Sequence, residues 1–302
     1  MDGFGKRIGS AVVTGVKVAA AAIAAMTAKG VADFMSFEKK MAEVFTLMPD
    51  LTADAEAQMT ADMRNLAKTM GIDLIDATNA LYQAISAGVD KDNALEFLET
   101  AAKASIAGVS DLETSVAALT TIMNGYGMSA GKAEEISDVL FSTVKIGVTN
   151  FTELGDNIGK VTPLTSELGI SIQEVGAMMA VLTANLGKGK TAEAGTQLKA
   201  MLAELSKEGM KAFDNFVAAA GTTFPKFVAA GGRVGDALQI LTDKAKASDK
   251  TLLAMFRGVE AGMGALTLAA DESKNLASAF KLINTDAGSM GVAFEKMEGT
   301  AS

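Results

Sequence analysis

Cysteine, histidine and tryptophan are all missing from this 302-residue chain. Without cysteine there is no disulfide framework and no thiolate metal site, and without histidine the commonest general base and metal ligand are gone. Proline occurs only at Pro49, Pro163 and Pro225, so long stretches lack the residue that breaks helices. Aromatic residues make up 5% and there are two tyrosines, which leaves no stacking platform for a glycan beside any carboxylate pair. A serine nucleophile would have to find a base other than histidine. Positive charge is also in short supply: 27 Lys and Arg face 36 Asp and Glu, for a net charge of −9. The sequence pI near 4.8 makes the average surface repel a phosphate backbone, so specific nucleic-acid binding is not expected.

What is present is helix-forming and apolar. Apolar residues account for 49% of the chain and mean hydropathy is +0.26, carried by Ala, Met and Leu. The 30 glycines are scattered, singly apart from Gly231-Gly232, as helix caps are. The length suffices to bury a sizeable core. Apolar residues recur at helical spacing between short Gly and Ser/Thr/Asp punctuation, which predicts an all-α fold, an array of antiparallel helical hairpins behind a long N-terminal Ala-rich helix. Three segments are expected: an apolar helix over 1–48, a repeat-containing helical core over 49–208 and a C-terminal helical region over 209–302. Past Pro49, helices are expected near 52–69, 73–87, 91–107, 111–125, 130–146, 150–167, 172–186, 191–208, 210–220, 234–247, 249–270 and 272–284.

Lys6 and Arg7 precede the apolar stretch Ala11 to Ala28, which Lys17 interrupts. Insertion into a bilayer is near balance there: Val12, Val13, Val16, Val18 and Ile23 contribute roughly −0.3 to −0.6 kcal/mol each, and Lys17 opposes them by up to about +3. Ala20, Ala24 and Ala28 recur every fourth residue and form a small-residue face for helix packing or membrane contact. The helical pattern continues through Phe34, Phe37, Met41, Val44 and Phe45, which favours a partner-packing helix over a cleaved signal.

Part of the core repeats. Gly108-Val109-Ser110-Asp111-Leu112 matches Gly147-Val148-Thr149-Asn150-Phe151, each a Gly helix stop followed by an N-cap. Tyr126-Gly127-Met128-Ser129 matches Leu168-Gly169-Ile170-Ser171, with Val116/Ile158, Leu119/Val161, Ile122/Leu164, Val139/Val181 and Leu140/Leu182 in apolar register. Met70-Gly71-Ile72-Asp73 is a third copy of that loop. Gly71, Gly108, Gly127, Gly147 and Gly169 are therefore expected as structural turns, and stacked units as the means of burying the apolar faces. Gly187-Lys188-Gly189-Lys190-Thr191 ends like a phosphate-binding loop, but Ala184 replaces the first required Gly and a helix pattern replaces the preceding strand. Acids such as Asp111/Glu113, Glu134/Glu135 and Glu153/Asp156 sit where they complement helix dipoles. No catalytic, cofactor or metal residues are assigned. The 18 methionines, Met178, Met179 and Met201 among them, are read as adaptable core filler.

From about Phe37 to Glu208 an ordered set of motifs resembles the core region of bacteriophage tail tape measure proteins. The set runs from Leu81-Tyr82-Gln83-Ala84-Ile85-Ser86-Ala87-Gly88 through Ala101 to Ala107 and Gly125-Tyr126-Gly127-Met128-Ser129-Ala130. It continues with Leu168-Gly169-Ile170-Ser171-Ile172-Gln173-Glu174-Val175, then Gly187-Lys188-Gly189 and Ala194-Gly195-Thr196-Gln197-Leu198. The resemblance implies a non-enzymatic virion component without cofactors, which fills the tail tube, sets tail length, nucleates assembly and leaves ahead of the DNA. It implies as partners the tail tube protein, tail tip or baseplate proteins and tail assembly chaperones, with three or six copies and transient membrane contact. The expected location is the tail lumen or tip, after assembly in the host cytoplasm. Family members are usually much longer, which implies a short tail or a piece of a longer chain. The alternative expectation is a membrane-active pore former inserting Ala11–Ala28 and Leu252–Leu268.

Overall fold

The computed structural model describes residues 33–299, and among these every regular element is helical and no strand occurs. The chain divides into two compact units, Met1–Tyr82 and Gln83–Ser302.

In the first unit, α1 (described over 33–45) buries Phe37, Met41 and Val44, and α2 (Ala53–Met70) buries Met59, Met63 and Ala67. Arg64 of α2 lies over the rings of Phe34 and Phe37, at 5.1 and 5.0 Å, and hydrogen-bonds Glu38, which fixes one helix against the other. The start of α2 is written locally. Thr52 accepts the Ala55 N–H, and Asp54 and Glu56 place negative charge at the positive end of the helix dipole. Gly71 ends it in the left-handed region, where the Ile72 N–H reaches back to the Ala67 carbonyl. Helix α3 (Leu74–Ser86) follows, and the boundary between the units falls inside it.

The second unit contains α4 (Ala94–Ala107), α5 (Leu112–Tyr126), α6 (Ala133–Ile146), α7 (Phe151–Ile158), α8 (Thr162–Glu167), α9 (Ile172–Leu186) and α10 (Thr191–Ser206). It continues with α11 (Lys211–Ala220), α12 (Phe224–Ala229), α13 (Val234–Ala247), α14 (Val259–Ala269), α15 (Lys274–Thr285) and α16 (Ser289–Glu298). Helices one repeat apart lie side by side, α5 on α7 and α6 on α9, as stacked repeats require. The central element is α9, buried at every position from Glu174 to Thr183 and enclosed by α6, α10, α14 and α15. Such all-round burial explains why its apolar residues Val175, Met178, Met179, Val181 and Leu182 form a near-continuous run instead of a stripe. The C-terminal helices close over this core: α14 crosses α10 and α9, α15 runs along α9 and α6, and α16 rests on α4 and α6.

Four segments differ from the sequence expectation. The helix expected over 150–167 is two, because α7 ends at Ile158 and α8 restarts with Pro163 in its first turn, where its missing N–H is harmless. The helix expected over 249–270 begins only at Val259, after a short turn at Leu252–Met255 and extended backbone at Phe256. Helix α12 was not expected, since Pro225 reads as a breaker yet sits in the first turn behind the Thr223 cap. Helix α16 was also missed, for Gly288 and Gly291 obscure its period. Leu252–Leu268 is not a membrane span, being broken before Val259, and no described helix is long and apolar enough to cross a membrane.

Candidate functional site

The five expected turn glycines all stand at helix ends, and they divide into two kinds. Gly71, Gly127 and Gly169 adopt φ of 63°, 63° and 72°, with open space where a Cβ would lie. After each, the next N–H bonds back into the preceding helix: Ile72 to Ala67, Met128 to Met123, Ile170 to Thr165. Gly108 and Gly147 have ordinary negative φ, −83° and −86°, and are instead sites of close approach. A Cβ on Gly108 would come within 2.6 Å of the Phe151 ring, and one on Gly147 within 2.6 Å of the Thr183 hydroxyl and 3.0 Å of the Ala180 backbone. Ala20, Ala24 and Ala28 lie outside the described residues. The Gly187–Thr191 stretch is an interhelical turn between α9 and α10, and its Thr191 hydroxyl donates to Glu153 at 2.7 Å.

The core's polar chemistry lies in three acids that sequence reasoning did not single out. Asp138 on α6, Glu174 on α9 and Glu204 on α10 are only 8%, 8% and 5% exposed. Each accepts hydrogen bonds from peptide N–H groups at the start of a C-terminal helix. Asp138 takes those of Gly288 at 2.6 Å and Met290 at 3.0 Å, at the head of α16. Glu174 takes that of Val234 at 2.7 Å, the first residue of α13. Glu204 takes those of Arg257 at 2.8 Å and Gly258 at 2.6 Å, just before α14. Helix N-termini expose unpaired N–H groups and partial positive charge, so a carboxylate is their natural partner, and pairing relieves the cost of burying either group. A partly exposed fourth contact lies nearby, where Asp286 accepts from Ser142 at 2.8 Å and Lys145 at 3.2 Å.

The electrostatics follow from burial and partners. Burial pushes the Glu174 carboxyl above the usual carboxylate range, against the Val234 N–H bond and the Arg233 charge, with Asp236 adding to the rise. Burial likewise raises the Tyr126 hydroxyl to about 12, opposed by its bond to Thr165 and assisted by Glu174. The Ser142 hydroxyl and Lys145 hold Asp286 below the usual range against its partial burial. An acid on the apolar register of a helix was the available signal: Glu204 lies between Leu202 and Leu205, and Asp138 between Ile136 and Val139.

Between α14 and α15 the backbone is strained. Asp271, Glu272 and Ser273 stand consecutively at φ of 51°, 56° and 59°, all left-handed, and none is glycine. L-residues pay roughly 1–2 kcal/mol each in that region and visit it singly, not in runs. Lys274 reaches the Glu272 carboxylate at 3.2 Å on the exposed surface, a pair worth little in itself. Among the described residues no group of acids is arranged to hold a metal ion.

Helices that stop at glycines in several turns and are tied together by buried carboxylates define an all-α protein. The chain belongs to the phage-related minor tail protein family, whose model matches residues 60–281. It is similar to the probable tape measure protein of Clostridium phage phiCD119, at 31% identity over 274 residues, covering 87% of this chain and 29% of that protein. It is also similar to the probable tape measure protein of Escherichia phage P2, at 26% identity over 179 residues, covering 59% of this chain and 22% of that protein. The chain thus spans under a third of the length of these relatives. No solved structure matches it significantly. The tape measure resemblance carried by the ordered motifs is therefore a family relationship, and the protein is a phage tail protein.

Proposed function

We propose that this chain is the folded core of a tail tape measure protein. It occupies the tail tube lumen, helps set tail length, nucleates assembly at the tip and departs ahead of the DNA. It acts without catalysis, through contacts with the tube protein, the tip or baseplate and assembly chaperones, in three or six copies. The family match over residues 60–281 carries this reading. The net charge of −9 supports it, since an acidic chain does not retain DNA moving behind it. The Gly-marked turns support a folded core over a plain rod, because each fixes a chain reversal that a continuous helix would not need.

Deleting residues 111–149, which carry α5 and α6, tests both the role and the folded state. Tails assembled with the deletion are expected to be fewer and almost unchanged in length. Intact tails uniformly shortened by up to about 58 Å, the helical rise over the deleted stretch, would mean that this core is extended and is itself the ruler. Tails of normal number and length would remove the assembly role.

A further inference from the structure

We infer that α14 and α15 are two halves of one helix, held bent by clasps at both ends and released into a continuous rod from Val259 to Thr285 when those clasps open. The inference goes beyond the tail role and stands on this segment alone.

Three features carry it. The junction Ala270-Asp271-Glu272-Ser273 contains neither glycine nor proline, yet three of its residues are left-handed. Glycine is the residue that accepts such a turn and aspartate visits it singly, whereas three consecutive left-handed residues that include Glu272 and Ser273 conflict with local preference. The second feature is phase. The buried residues of the two helices that carry a side chain, Ala261, Ala265 and Leu268 of α14 and Leu276, Ala279 and Ile283 of α15, fall at 3.6 residues per turn within an arc of about 80° on a single continuous helix, with buried Gly262 and Gly264 flanking it. Two helices joined by an arbitrary turn have no reason to keep that register across it. Glu272 occupies the one polar position on the shared stripe.

The third feature is how the bend is held. Glu204 on α10 binds the N–H groups of Arg257 and Gly258, immediately before α14. Asp138 on α6 binds those of Gly288 and Met290, just past α15, and Ser142 with Lys145 holds Asp286. Both ends of the segment are thus tied to different core helices, while a straight form would reach about 40 Å at the helical rise. The left-handed turn is what lets the chain satisfy both ties. Opening both removes the end ties that hold the strain, leaving only the packing of α14 on α10 and of α15 on α9 and α6 to oppose straightening.

The absence of cysteine allows spin labels at Met263→Cys and Leu282→Cys, both exposed positions. A straight helix places them about 28 Å apart along its axis, and any bend brings them closer. The otherwise unaltered chain is expected to give the shorter distance. Adding Glu204→Gln and Asp138→Asn should raise the population near 28 Å with helicity by circular dichroism undiminished. Adding Asp271→Gly and Glu272→Gly to that variant should restore the short distance, since glycine relieves the left-handed turn and weakens the straight helix. A short distance throughout, or a loss of helicity in place of the longer one, overturns the proposal. If the clasp variant fails to fold, the glycine pair in the clasped chain decides: a higher melting temperature than the parent upholds the strain, and an equal or lower one overturns it.

Discussion

A methyl group added at Gly127 meets nothing, and one added at Gly108 meets the Phe151 ring, so the two glycines fail for different reasons. Gly127→Ala forces an L-residue to φ 63° and should lower stability by about 1 kcal/mol. Gly108→Ala overpacks a closed contact and should lose about 1–3 kcal/mol. Urea midpoints at constant m-value would check both, and equal, negligible losses would contradict the division. Glu174 gives a pH signature. Its folded-state pKa is raised above the ordinary value of 4.5, so proton binding favours the folded form. Its contribution is therefore present in full below pH 4.5 and declines as pH rises through the raised folded value. Glu174→Gln should remove that decline from the stability profile while leaving the acid limb set by other carboxylates. All five glycines are legible in sequence as helix stops, but similar strings hide two geometries: Gly71, Gly127 and Gly169 turn left-handed, whereas Gly108 and Gly147 make room for the Phe151 ring and the Thr183 hydroxyl. The buried acids are legible only through their place on an apolar register, and their partners are not legible at all, because the helix that Asp138 caps lies 150 positions away.

At the scale of the element, each clasp is a tie between a core helix and a later one. Asp138→Ala would strand the N–H groups of Gly288 and Met290, and a buried donor left without a partner costs about 1–3 kcal/mol. The loss should be local: amides of α16 should exchange faster with solvent deuterium while those of α9 keep their protection, and uniform acceleration would mean that the clasp supports the whole unit. Helices α2, α5, α9 and α13 lie within about two residues of where periodicity and caps placed them, for caps are local signals. Thr52, Asp111 and Ser171 each accept an N–H of the helix they open. Errors fell where proline or glycine had two meanings. Pro163 and Pro225 begin helices here, so reading them as absent or as breakers merged α7 with α8 and hid α12. The break before α14 is marked locally by Gly258 alone, since Glu204 supplies from outside what a capping side chain would supply from within.

For the whole molecule, family membership was legible from the order of motifs, and the all-α class from composition and period together. The boundary between compact units at Tyr82 was not, because it depends on which distant helices meet, as when α16 closes on α4. The division into 1–48, 49–208 and 209–302 is accordingly a proposal about roles along the tail. The repeated stop-and-start string has a further, hereditary meaning. Gly71, Gly127 and Gly169 each end one helix by backbone geometry alone, and Asp73 and Ser171 accept the first N–H groups of the next. A gene segment duplicated between two such strings would enter with its own ends already finished, and the flanking helices would keep theirs. Its outer face would meet a copy of the surface it already packs against, as α6 meets α9. Unequal recombination within this stretch can therefore lengthen or shorten the protein by whole units of about 40 residues without inventing a new interface.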